Sequence, residues 1–127
     1  MPRTGSLSVL EFVRDLNFEV KRVYYVYDAY VGTIRGRHAH KKLQQLLICV
    51  KGVIKIDVDN GEKSASTILD NASVGLWVAP KLWHTMEWLE SGSVLLVMAS
   101  LPYDESDYIR DYTKFLEWIK NNGSNPI

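Results

Sequence analysis

One cysteine, three histidines, no net charge and no long apolar run are what this chain of 127 residues offers, and each scarcity excludes something. Cys49 stands alone inside Leu46-Leu47-Ile48-Cys49-Val50, so no internal disulfide can form. A buried thiol in a reducing compartment is the simplest reading. No apolar stretch approaches the roughly 20 residues that cross a bilayer, which argues against a membrane protein. The start, Met1-Pro2-Arg3-Thr4-Gly5-Ser6, lacks the apolar core of a secretory signal. Cytoplasm is the expected location. Lysine plus arginine equal aspartate plus glutamate at 15 each, and no nucleic-acid motif is present, so nucleic acid is not an expected partner. Repeats, low-complexity stretches and linkers are also missing. The expectation is one domain over residues 1–127, long enough to bury a substantial core.

What the chain does contain, from Leu7 to Leu101, is a succession of short β patterns. Lys21–Tyr27 is rich in β-branched and aromatic residues, and Leu43–Val50 is apolar except at Gln44 and Gln45. In Val53–Val58 the residues Ile54, Ile56 and Val58 alternate with polar neighbours, as a half-buried strand requires. Asp59-Asn60-Gly61 predicts a tight hairpin turn. Further strands are expected at Ser64–Leu69, Val74–Ala79, His84–Trp88 and Val94–Ser100, so the class is all-β, a sandwich or barrel. One helix is expected at the end: Tyr112–Lys120 carries Phe115, Leu116, Trp118 and Ile119 at helical spacing, stopped by Asn121-Asn122-Gly123. Asp104–Asp107 reads as its cap and first turn, and its predicted task is to cover one end of the barrel.

The chemistry concentrates in Arg35-Gly36-Arg37-His38-Ala39-His40, followed by Gln45. Histidines two apart on a strand face the same way, and two polar rings on an inward face need a reason. The arrangement is that of a metal-binding β-barrel box in which a glutamate has become Gln45. An amide lacks the charge that oxygen-seeking cations favour, though its oxygen can still ligate weakly. The pattern therefore favours imidazoles that move protons, with no metal and no cofactor, over imidazoles that hold a cation. Near-neutral imidazole pKa values suit the removal of a proton beside a carbonyl and its return to the adjacent carbon. His84, after Trp83, completes the histidine inventory.

Around this pair lie candidate ligand-binding residues. The segment from Lys21 to Lys55 is basic, with Asp28 as its one acidic residue, which suits an anionic small ligand. Arg22 and Arg35 are the forked donors placed to grip phosphate. Arg37 alternates with His38 and faces away on a regular strand. Of Tyr24 and Tyr25 only one can point inward, and strand parity does not say which.

Lys21-Arg22-Val23-Tyr24-Tyr25, Arg35-Gly36-x-His38-Ala39-His40-Lys41-Lys42-Leu43-x-Gln45, Val74-Gly75-Leu76, Trp83-His84 and Tyr103–Arg110 together closely resemble the cupin-fold sugar 3,4-ketoisomerases, over about residues 5–120. The resemblance implies a cupin-type jelly-roll barrel with a C-terminal helix. It implies isomerisation of thymidine-diphosphate-linked (dTDP) 4-keto-6-deoxyglucose to a 3-keto sugar, in deoxy or amino sugar biosynthesis. By analogy His38 takes the proton from C3 and His40 helps deliver one at C4. Arg22 and Arg35 then hold the diphosphate, and Tyr24, Gln45, Trp83 and His84 line the sugar pocket. A homodimer exchanging N-terminal strands is also implied. The Asp-x-Arg-Gly-x-Leu turn usual in the family shrinks here to Pro2–Leu7, with the arginine one place early and no leading strand ahead of it. The resemblance thus suggests an N-terminally shortened variant.

Other chemistries fit the same residues. A nucleotide-sugar 3,5-epimerase would need a base and a tyrosine acid on opposite ring faces. A sugar-binding cupin without catalysis would bind and not turn over. A metal-dependent oxygenase would contain stoichiometric iron or nickel.

Overall fold

The computed structural model describes residues 4–127, so Pro2 and Arg3 of the Pro2–Leu7 segment lie outside the described residues. Eight strands pair in nested fashion. They are β1 (Arg22–Val26), β2 (Ile34–His40), β3 (Gln45–Lys51), β4 (Ile54–Asp59), β5 (Ser64–Leu69), β6 (Gly75–Val78), β7 (Trp83–Trp88) and β8 (Val94–Ala99). First pairs with eighth, second with seventh, third with sixth and fourth with fifth, all antiparallel. This nesting is the jelly roll. It yields a four-stranded sheet, β1-β8-β3-β6, and a five-stranded sheet, β5-β4-β7-β2-β9, whose edge is the short β9 (Tyr108–Ile109).

Inward residues of both sheets form the main core: Leu47 and Cys49, Leu95 and Val97, Ile54 and Ile56, and Met86 and Trp88. Trp88 is fully buried and donates its indole N–H to the Ser93 carbonyl at 2.8 Å, so the largest core side chain leaves no orphan donor.

Three sequence expectations change in detail. Residues 7–20 hold no strand; they carry a one-turn helix, α1 (Phe12–Asp15), and lay Leu10, Leu16, Phe18 and Val20 over the outer face of the four-stranded sheet. The turn after β4 spans four residues, because the Asn60 side chain accepts from both the Glu62 and Lys63 amides and widens it; only Gly61 takes a positive φ there. The terminal helix, α2 (Tyr112–Asn122), is capped by Asp111, whose carboxylate accepts from the Lys114 amide. Asp104–Asp107 instead contribute a separate 3-10 turn (Glu105–Asp107) ahead of β9. The helix lies on the outside of the five-stranded sheet: Phe115 and Ile119 pack on Ala39 and Ile109, with Trp83 alongside. It thus leaves the space between the sheets free.

Candidate active site

The site begins with an irregularity in β2. Ile34, Arg35 and Gly36 face Glu87, Met86 and Thr85 of β7, but the next partner of β7, His84, faces His38. One residue is extra on β2, a bulge, with Gly36 at φ 87° and Arg37 at φ 58°. Gly36 is required twice. Its φ is in the region glycine tolerates, and an added Cβ would lie 2.9 Å from the His84 carbonyl oxygen and 3.1 Å from the Met86 sulfur. The bulge also resets the alternation. Arg35 and His38, three apart, come to line the same cavity, while Arg37 is exposed.

Three imidazoles then converge. His38 and His84 are cross-strand partners with ring centroids 4.8 Å apart. His40 is 4.9 Å from His38 and stacks on His84 at 5.7 Å. Tyr108 of β9, paired with His40 in register, closes the group at 5.0 Å from His38 and 4.3 Å from His40. His84 meets the Leu82 carbonyl through Nδ1 at 3.2 Å, which makes Nδ1 the protonated nitrogen and leaves Nε2 bare. His38 Nδ1, both His40 nitrogens and His84 Nε2 are buried without hydrogen-bond partners. One nitrogen from each ring lies within 4.8 Å of those of the other two, so their placement is also compatible with a bound cation.

All three are neutral at physiological pH. Burial, then His84 and Arg110, lowers His38 to about 3. Burial, then His84, His38, Arg22 and Arg110, lowers His40 to about 2. Burial lowers His84 to about 4, against a small opposing effect of the Leu82 carbonyl. Between pH 6.5 and these values the unfolded chain therefore binds more protons than the folded one, and stability falls as pH falls. At pH 5 the cost is about 2 kcal/mol for each of the well-buried rings His40 and His84. Urea melts at pH 7.5 and pH 5 should show this loss; equal midpoints would contradict the neutral cluster.

The other sheet supplies the facing wall. Tyr24 is the inward tyrosine and Tyr25 is exposed. Buried Gln45 donates its amide N–H to the Tyr24 phenol oxygen at 3.0 Å, bridging β3 and β1. Arg22 stacks on Tyr24 with its guanidinium carbon 5.0 Å from the ring centre, and its Nε and Nη2 are buried without partners. Arg22, Tyr24, Arg35, His38, Tyr108 and Arg110 line a cavity of about 230 Å³. Unfilled guanidinium donors beside a neutral base make a place for an anion whose attached group meets His38. Tyr108 and Arg110 also border a second cavity of about 500 Å³ toward α2.

Known proteins share this architecture. Residues 2–120 fit the family model described as FdtA: WxcM-like, C-terminal. The TDP-4-oxo-6-deoxy-alpha-D-glucose-3,4-oxoisomerase of Aneurinibacillus thermoaerophilus is 44% identical over 115 residues, covering 91% of this chain and 83% of that one. The chain belongs to the cupin-fold sugar 3,4-ketoisomerases. Solved members of the ketoisomerase family superpose closely. The 3,4-ketoisomerase from Helicobacter canadensis has 40% identity and a TM-score of 0.89, covering 94% of this chain and 90% of that one. QdtA from Thermoanaerobacterium thermosaccharolyticum, crystallised with TDP, has 40% identity and a TM-score of 0.87, covering 92% and 85%.

In this ketoisomerase family member the structure gathers His38, His40, His84, Arg22, Arg35, Tyr24 and Gln45, but not Trp83. Trp83 precedes His84 on β7, so alternation turns it to the outer face. There it packs on Tyr112 and Phe115 of α2 at centroid distances of 5.3 and 5.9 Å. Trp83→Ala should therefore cost about 2 kcal/mol of stability through lost packing. KM for the sugar nucleotide should stay within about twofold of wild type, because a lost wall contact worth 1.4 kcal/mol would already change affinity about tenfold. A tenfold rise in KM with unchanged melting would return Trp83 to the pocket. The structure adds Asp107, Tyr108 and Arg110 to the site. Their signal in the sequence is the aromatic and charged run Tyr103–Arg110, whose acidic half also has the composition of a helix cap.

Proposed function

We propose that this protein is an isomerase converting dTDP-4-keto-6-deoxyglucose into a dTDP-3-keto-6-deoxyhexose by histidine-mediated proton transfer. The observation that carries the reading is the juxtaposition of His38, a neutral ring on the cavity wall, with Arg22 guanidinium nitrogens that have no protein partner. Arg22 and Arg35 hold the diphosphate. His38 takes the proton from C3, leaving an enediol across C3 and C4. A proton returns to C4 with His40 assisting, O4 gains a proton and O3 loses one, and the carbonyl ends at C3. Oxidation at C3 balances reduction at C4, so no external redox cofactor is needed.

The resting rings are weak bases, and part of the cause is guanidinium charge: Arg110 lowers His38, and Arg22 and Arg110 lower His40. An incoming diphosphate offsets that charge and raises the basicity of the rings it needs. Tyr24, Gln45 and His84 complete the polar surround. Gln45 supports a metal-independent mechanism, since it offers a neutral amide already engaged with Tyr24. Purified enzyme should keep its activity after chelation, and stoichiometric iron or nickel by elemental analysis would reverse this part.

The working form in this reading is a cytoplasmic homodimer. The outer face of the four-stranded sheet supports a dimer: Val23, Tyr25 and Trp77 remain about half exposed there, beside the cluster of Leu46, Ile48 and Met98. Sedimentation velocity reads the assembly directly. Among the described residues no helix is long and apolar enough to cross a membrane.

Incubation with the 4-keto nucleotide sugar, followed by NMR of the product, tests the activity. Loss of the C3 hydrogen and a new C3 carbonyl are expected. Solvent deuterium at an inverted C5 would mark a 3,5-epimerase instead, and unchanged substrate that still binds would mark a sugar-binding cupin.

A further inference from the structure

His40 has a buried acidic neighbour. Asp107, at the end of the 3-10 turn, is 8% exposed, and its Oδ2 lies 3.5 Å from His40 Nδ1, itself on a side chain only 3% exposed. The carboxylate is fixed from the other side. Its Oδ1 accepts from the Lys42 amide at 2.9 Å and its Oδ2 from the Leu43 amide at 3.2 Å. The Asp107 carbonyl accepts in turn from the Lys41 amide. Three successive amides just beyond β2 thus hold this residue, so its carboxylate cannot swing away from His40 without unfastening the end of the strand.

A carboxylate has about four acceptor positions, and two backbone bonds leave capacity for a third donor. Neither His40 nitrogen has a hydrogen-bond partner in the resting protein. A bare Nδ1 lone pair aimed at carboxylate oxygen in a water-poor site is repelled, whereas an Nδ1–H is attracted. Small closures of this kind accompany substrate binding in many active sites. We infer that Asp107 is a positioning residue for His40: it selects the Nδ1–H tautomer and leaves Nε2 as the bare nitrogen able to take up a proton during turnover. When Nε2 takes up a proton, the resulting imidazolium faces a fixed counter-charge. The inference deepens the proposed isomerase reading and rests on it for its catalytic consequence, not for the tautomer itself.

The decisive measurement is a long-range proton–nitrogen NMR correlation on the resting, full-length protein labelled with nitrogen-15, His40 being assigned with H40Q. A protonated Nδ1 and bare Nε2 are expected; a protonated Nε2 overturns the inference. The second measurement is Asp107→Asn, oriented so that its amide oxygen keeps one backbone bond and its NH2 faces Nδ1. The ring should switch to the Nε2–H tautomer, with kcat falling about 10- to 100-fold and KM staying within about threefold. Wild-type kcat in D107N, or a loss confined to KM, counts against the role. If D107N does not fold because the strand end is released, the wild-type tautomer still decides. A resting Nδ1–H tautomer in a protein that leaves the 4-keto sugar unchanged would sink the proposed activity and leave the positioning intact.

Discussion

His38→Asn is expected to lower kcat by about a thousandfold, the middle of the range for a positioned general base, with the nucleotide sugar still bound. Asparagine keeps much of the side chain's volume but has no basic nitrogen. The expected diphosphate contacts belong to Arg22 and Arg35 on the cavity wall, which the substitution leaves in place. Calorimetric titration should therefore give a Kd within a few-fold of wild type while turnover nearly vanishes. Of the three imidazoles, His38 alone lines that cavity among the described residues, so His40 and His84 substitutions should not reproduce this separation as cleanly. An H38N protein retaining a tenth or more of wild-type kcat would remove His38 from the role of base.

Gly36→Ala should be the most damaging single-methyl change near the site. Forcing a Cβ to φ 87° costs about 1–2 kcal/mol. Crowding the His84 carbonyl at 2.9 Å adds an overpacking cost of about 1–3 kcal/mol. Relaxation moves β2 away from β7, so the His38–His84 contact opens. A displacement of about 1 Å in a catalytic constellation can cost about a hundredfold in rate. Thermal melting about 10 °C lower, together with a large loss of kcat, is the expected pair of results. A folded G36A protein with normal activity would show that the bulge is not what sets the His38 position.

This bulge also marks where the sequence stopped being legible. Alternation identified the strands, kept His38 and His40 on one face, and would have identified Trp83 as outward had its strand been taken back one residue. It could not show that Arg35 joins the histidines, because a bulge changes parity without changing composition. Nor could parity choose between Tyr24 and Tyr25; the choice follows from packing across the sheets. The N-terminal segment looked like a strand because apolar residues that lie over a sheet's outer face resemble apolar residues within a sheet. Asp107 was hidden for another reason: a cluster of acids before a helix has the composition of a cap, and only the folded chain shows that Asp111 caps while Asp107 is buried beside His40.

The bond between Gln45 and Tyr24 has a directional consequence. Because the amide N–H donates to the phenol oxygen, the hydroxyl hydrogen is left free to point toward a guest, and Tyr24 is set up to act as a donor there. Gln45→Glu would turn that arrow round. The phenol would be drawn to satisfy the new carboxylate, and a negative charge would enter the wall beside Tyr24. A single amide nitrogen exchanged for a carboxylate oxygen thus separates a pocket that lends hydrogen to carbohydrate from one that withholds it.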